Sequence, residues 1–226
     1  MKGKRFKKVT ALLSTAAMLL TYADFSAIDF SVHAENGAEP ILTDFDVNRN
    51  GKIDDGEEKW GYALDSADDL YWFADKVNND NANYGSANSF LACDITVNSD
   101  VLNENGGLNE GDFREWTPIG AYNEIKEEYY YYSGTFDGNS KTISGLYFNN
   151  SDVECVSLFG LTESSGTIKN VTVSDSYMNG SYNVGGVCGY NNGTISNCYN
   201  TGTVTGHGEY VGGVCVHQPR LSLLKQ

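Results

Sequence analysis

Apolar residues recur along this chain with two different periods. From Asp65 to Asn79 the spacing is helical, with Leu70, Phe73, Ala74 and Val77 at i, i+3, i+4 and i+7, and Ser66 with Asp69 forms a capping box. This predicts an amphipathic helix, with Trp72 beside its apolar stripe. After a polar stretch at 78–88 the pattern changes. Phe90 to Val97 reads as a strand, 98–115 as an acidic loop, and the remainder as short apolar runs broken by Gly, Asn, Ser and Thr too often for any helix.

The short runs repeat. Gly166-Thr-Ile-Lys-Asn170 returns as Gly193-Thr-Ile-Ser-Asn197, and Val184-Gly-Gly-Val-Cys188 as Val211-Gly-Gly-Val-Cys215, both at an offset of 27 residues. A β-rich unit of this length makes one coil of a stack and is too short to fold alone. The predicted fold class is therefore mainly β: a parallel β-helix or β-solenoid, with the helix capping its open first coil. Ile168 should then lie on Ile195, Val187 on Val214, and Asn170 on Asn197 at a corner where amides hydrogen-bond along the axis. The glycine pairs 185/186 and 212/213 are expected at corners with positive φ. An older copy is expected upstream, with Lys141-Thr-Ile matching at an offset of 25 and Ser157-Leu-Phe-Gly160 at 29.

The ordered motifs Leu91-x-x-Asp94-Ile95, Trp116-Thr-Pro-Ile-Gly120, Gly134-Thr-Phe-Asp-Gly138, Leu158-Phe-Gly160, Val184-Gly-Gly-Val and Gly193-Thr-Ile-Ser-Asn-Cys198 carry a resemblance. Over roughly residues 65 to 215 the chain resembles secreted bacterial proteins with GLUG-type repeats. The resemblance implies an extracellular or surface-attached, modular, adhesin-like protein. It supplies no catalytic residues.

One further motif carries chemistry. Residues 46–57 follow the calcium-loop pattern, with oxygen donors at positions 1, 3, 5, 9 and 12, glycine at position 6 and an apolar residue at position 8. The expected ligands are the side chains of Asp46, Asn48, Asn50, Asp54 and Glu57 with the Lys52 carbonyl, and the expected ion is calcium. This EF-hand-like loop also resembles that of dockerins, which bring two such segments where this chain has one. The plain alternative is a solvated acidic turn.

The ends set the compartment. Lys2, Lys4, Arg5, Lys7 and Lys8 precede an apolar run from Val9 to Leu20, and Val32-His-Ala34 offers a cleavage site, as in a secretory signal peptide. An apolar core this short does not span a bilayer. The organisation expected is a signal peptide at 1–34, a calcium-loop segment at 35–62, the capping helix and loop at 63–89, the solenoid at 90–216 and a non-repeat tail at 217–226. That tail breaks the repeat after Cys215, as a truncated chain would, and leaves an edge that would pair with another copy.

Charge and chemistry narrow the partners. The formal net charge is −15, and removing 1–34 leaves the rest more acidic still, which excludes nucleic acid as a partner. A carbohydrate or protein ligand outside the cell remains. Tyr129 to Tyr132 is a candidate sugar platform, although strand alternation with two rings in and two out also accounts for it. Cys188 and Cys215 occupy equivalent sites, where stacked thiols or a bridge would fit. A polysaccharide-active β-helix enzyme is the alternative reading, but Asp94, Asp137 and Asp175 are scattered in turn or strand-end contexts, and His207 and His217 lack an evident partner.

Overall fold

The structure, a computed structural model, describes residues 39–123 and 126–216; the expected signal peptide and the 217–226 tail fall outside these. Within the described residues the chain is mainly β, and no sheet closes into a barrel. β1 (Leu42–Thr43) pairs antiparallel with β2 (Gly61–Leu64), which brings together the two ends of the segment carrying the calcium-type pattern. α1 (Ala67–Asn79) follows, then a single helical turn, α2 (Asn81–Tyr84), inside the stretch expected as a polar loop. β3 (Ser89–Leu91) and β4 (Ile95–Thr96) share the run expected as one strand, with bends between them. A small hairpin of β5 (Tyr122–Asn123) and β6 (Glu128–Tyr129) precedes the repeats.

The repeats occupy the rest. The first comprises β7 (Thr135–Ser144), β8 (Tyr147–Asn149) and β9 (Phe159–Thr162), and the second β10 (Thr167–Ser174), β11 (Tyr177–Gly180), β12 (Val184–Gly185) and β13 (Cys188–Asn191). The third comprises β14 (Thr194–Ser196), β15 (Tyr199–Asn200), β16 (Thr203–Gly206) and β17 (Val211–Gly212). Equivalent strands pair in parallel: β7 with β10 and β10 with β14 and β15, β8 with β11 and β11 with β16, β9 with β13, and β12 with β17. Ile168 stands opposite Ile195, and the Val187 N–H donates to the Val214 carbonyl at 2.8 Å. Ile168, Val171 and Val173 of β10 are all fully buried, while Thr167, Lys169 and Thr172 between them are not. Val171 and Val173 follow the strand period of two, and the three-residue step from Ile168 to Val171 passes through Asn170, whose φ of +58° turns the chain there.

The parallel stack begins earlier than residue 90. Tyr62 of β2 pairs with Ser89 of β3, and Phe90 of β3 with Asp137 of β7. Helix α1 is the crossover that two consecutive parallel strands require. Its expected stripe is buried to within 1% exposure at Leu70, Phe73, Ala74 and Val77. Phe73 meets Tyr132 edge-on at 5.9 Å, and Trp72 packs between Tyr62 and Tyr84 at 5.3 and 5.6 Å. Ser66 caps α1 by accepting from the Asp69 N–H at 3.2 Å, and the Asp69 carboxylate accepts from the Asp65 N–H, one residue before the position a capping box uses.

Three expectations need correction. The older copy sits at a different offset, because Ile168 pairs with Phe136 and Val173 with Ile143; Gly134-Thr-Phe is the equivalent of Gly166-Thr-Ile, and a register shift between Lys169 and Val171 absorbs two residues. The offset of 29 holds, with Cys188 opposite Phe159. Gly185, Gly186, Gly212 and Gly213 are not among the positive-φ residues; Asn170, Asp175, Asn183, Asn197 and Tyr210 carry that conformation in these repeats. A Cβ at Gly185 would strike the Cys188 carbonyl and one at Gly186 the Asn200 side chain, so close approach is what selects glycine there. Of Tyr129 to Tyr132 only Tyr132 is buried, because it leaves the hairpin and enters the core against Phe73 and Phe159.

Gly145 combines both demands. It has φ of +77°, and a Cβ there would collide with the backbone of Asn98. Gly145→Ala should lower stability by about 3 kcal/mol or more in a thermal or urea melt. Gly213→Ala, where a Cβ meets nothing within 4 Å, should stay within about 0.5 kcal/mol of the parent.

Candidate functional site

The calcium-type loop folds onto its own oxygens. The Asp46 carboxylate accepts from the Asn50 N–H at 3.1 Å and the Gly51 N–H at 2.7 Å, a turn that φ of +59° at Arg49 and +82° at Gly51 makes possible. The side-chain amides of Asn48 and Asn50 both donate to Asp54 Oδ2, at 2.9 and 2.6 Å. These two hydrogen bonds hold the Asp54 carboxyl below its ordinary value. Glu57 closes the loop through backbone contacts. Its carboxylate accepts from the backbone N–H groups of Val47 at 2.9 Å, Asn48 at 3.3 Å and Asp54 at 2.8 Å, and the residue is only 7% exposed.

The structure thus brings Asn48, Asn50 and Asp54 together, with the Asp46 carboxylate on the 50 and 51 amides and the Glu57 carboxylate on the 47, 48 and 54 amides. Lys52 donates its N–H to Asn50 Oδ1 at 2.9 Å. Among the described residues no three His, Cys, Asp or Glu side chains gather closely enough to hold a metal ion by themselves. The donors at the convergence point are one carboxylate and two carboxamides. Both amides turn their Nδ2 groups to that carboxylate, and their oxygens accept from backbone N–H groups instead, Asn48 Oδ1 from Asn50 at 3.0 Å and Asn50 Oδ1 from Lys52.

The loop is anchored by contacts that the linear pattern does not announce. Phe45 stacks on Phe90 at 4.2 Å and lies 5.2 Å from Trp60, and the Phe45 N–H donates to the Glu57 carbonyl at 3.0 Å. Arg49 reaches Asp137 in β7 at 3.6 Å and the Ser140 hydroxyl at 3.3 Å. Asp137 is fully buried, and its second oxygen meets the Lys169 ammonium at 3.2 Å. Its first oxygen also accepts from the Asn139 N–H and from Asn170 Nδ2 at 2.9 Å, and Asn170 in turn accepts from Asn197 Nδ2 at 3.2 Å. The expected amide corner therefore exists, and it starts from a carboxylate that faces the loop.

The other candidates have structural roles. Asp94 accepts from the Thr142 N–H at 2.7 Å, and Asp175 accepts from the Val101 and Leu102 N–H groups, tying the 98–115 loop to the repeats. His207 Nε2 lies 3.0 Å from Asn179 Oδ1, while His33 and His217 are outside the described residues. All five cysteines are free thiols, with Cys188 and Cys215 joined by a parallel backbone bridge. Burial raises the thiol of Cys188 and pushes that of Cys155 up to about 11.

Two measurements probe this arrangement. Asp137→Ala strands Lys169 and should cost about 3 kcal/mol in a thermal melt, whereas Arg49→Ala, at a side chain 47% exposed, should cost under about 1 kcal/mol. Asp54 has its folded value depressed below 3.8, so its contribution is present above 3.8 and is lost as pH falls through the folded value. An NMR titration should show the side-chain NH2 signals of Asn48 and Asn50 moving only below that point, and movement of those signals nearer neutral pH would contradict the assignment.

Comparison with known proteins places part of this geometry in a wider group. Residues 180–205, from the end of β11 into β16, match the family described as the GLUG motif. The chain is 34% identical over 154 residues to halomucin of Haloquadratum walsbyi (strain DSM 16790 / HBSQ001). That similarity takes in 68% of this chain, which spans 2% of the length of this curated relative. No solved structure matches the chain. Residues 180–205, which join the second repeat to the third, thus carry a GLUG motif.

Proposed function

We propose that this chain is a secreted, non-catalytic, adhesin-like module of a larger surface protein, in which one calcium ion orders the loop at 46–57 against a parallel β-solenoid. Calcium is the biochemical activity in this reading, with Asp46, Asn48, Asn50, Asp54, Glu57 and the Lys52 carbonyl as ligands. The observation that carries it is the gathering of the Asp46, Asn48, Asn50, Asp54 and Glu57 side chains into one hydrogen-bonded turn. Export rests on the basic and apolar pattern at 1–34, and the surface role on the GLUG motif and on similarity to a relative whose name denotes a mucin. The solenoid reading rests on the parallel pairing of equivalent strands, with α1 covering the first of them.

The ion would supply charge that the loop lacks. Asp46, Asp54 and Glu57 bring negative charge to one short turn, and at present backbone N–H groups and two carboxamides offset it. A bound cation stabilises the same turn more strongly and, through Arg49 and Phe45, fixes the loop to β7 and β3. With two carboxamides among the ligands the affinity belongs in the range of about 0.1 to 1 mM found for extracellular modules.

Calorimetry of the full chain with calcium chloride should give one saturable site in that range, and Glu57→Ala should abolish it. At about 10 mM calcium the melting transition should gain about 1.4 to 2.7 kcal/mol by mass action. Absence of heat at millimolar calcium, or an unchanged signal in Glu57→Ala, would remove the calcium reading.

A further inference from the structure

Beyond the loop, a cleft opens between α1 and the segment leading into β5. It is an open cleft of about 540 Å³, within the range of about 300 to 1,000 Å³ typical of small-ligand sites. Tyr71 and Asp75 of α1 form one wall and Tyr122 and Asn123 the other, with Asn79 and Thr117 between. We infer that this cleft binds a neutral pyranose of a polysaccharide or glycan, with Tyr122 as the stacking platform and Asp75 with Asn79 as the hydroxyl-reading pair.

Three observations support the assignment. Tyr122 is 47% exposed and is braced by Tyr129, itself 55% exposed, at a ring separation of 4.8 Å. A solvent-facing tyrosine pair presents an amphipathic face, suited to the C–H face of a sugar ring and costly to leave in water. The polar wall alternates acceptors and donors: Asn79 Nδ2 donates to Asp75 Oδ1 at 2.7 Å, and Asn123 Nδ2 donates to Asn79 Oδ1 at 3.3 Å. A carboxylate beside a carboxamide complements adjacent hydroxyls, each of which both donates and accepts. Tyr71 is held in place as well, because its hydroxyl donates to the Glu115 carbonyl at 2.8 Å and the Arg114 guanidinium covers its ring at 3.6 Å.

Charge decides between ligand classes. A chain of net charge −15, with Asp75 at the rim, repels polyanionic sugars and accepts neutral ones. An extended peptide would need a run of unpaired strand backbone, whereas the polar groups here are side chains. Burial pushes the Tyr71 hydroxyl up to about 12, so this wall keeps its hydrogen bond through the neutral and mildly alkaline range.

The test is a titration of the full chain with cellohexaose, mannohexaose and chitohexaose, read by tyrosine fluorescence and calorimetry. At least one should saturate at about 1 mM or below, and hexagalacturonate should not bind. Tyr122→Leu, which keeps bulk and removes the aromatic face, and Asp75→Asn should each weaken binding about tenfold or more. Tyr199→Ala, at a 64% exposed ring in β15, should leave binding unchanged. A circular dichroism spectrum matching the parent establishes that each variant is folded. No binding by any neutral hexaose at about 10 mM, parental binding by folded Tyr122→Leu, or displacement of the hexaose by a pool of polar hexapeptides would each overturn the proposal.

Discussion

Parallel pairing between equivalent strands is the constraint on which the rest depends. A unit built around Ile168, Val171 and Val173 has no partner for its apolar face within its own residues. It gains one only when β7 and β14 lie in register on either side. A slip of one residue would turn those three side chains outward and bring Lys169 and Thr172 in. The register therefore sorts core from surface all along the stack, and the fully buried Phe136, Ile143 and Phe159 follow the same rule one unit earlier.

Register also fixes where charge can be buried. Asp137 lies inside a sheet because the strand beside it supplies Lys169 opposite and Asn170 next to it, while the N-terminal loop supplies Arg49. A buried carboxylate without such partners would cost several kcal/mol. Here it links three separate stretches of chain, and its hydrogen bonds continue through Asn170 to Asn197. The calcium-type loop is thus tied to the corner of the repeats, so ordering the loop and ordering the stack favour each other.

The corners divide their work by residue type. Asparagine takes the left-handed positions, as at Asn170, Asn183 and Asn197, because its short amide tolerates that backbone and bonds locally. Glycine serves instead where neighbouring backbone or side chains leave no room for a Cβ, as at Gly185 and Gly186. The recurring Val-Gly-Gly-Val sequence records a packing requirement, and the recurring asparagine records a turn.

Local pattern determined the elements that depend only on local physics. The stripe of α1, its Ser66 cap and the strand character of 166–215 all follow from spacing and side-chain chemistry, and each is present. The 27-residue offset likewise fixed Ile168 against Ile195, because identical units stack in register. Tertiary structure alone decided the pairing of β2 with β3, which makes α1 a crossover, and the true alignment of the first repeat, where a register shift hides the match. It also decided that Arg49 meets Asp137 and that Tyr71 faces Tyr122 across a cleft. Such contacts join residues with no shared periodicity, so they arise only when the packed core brings distant segments together.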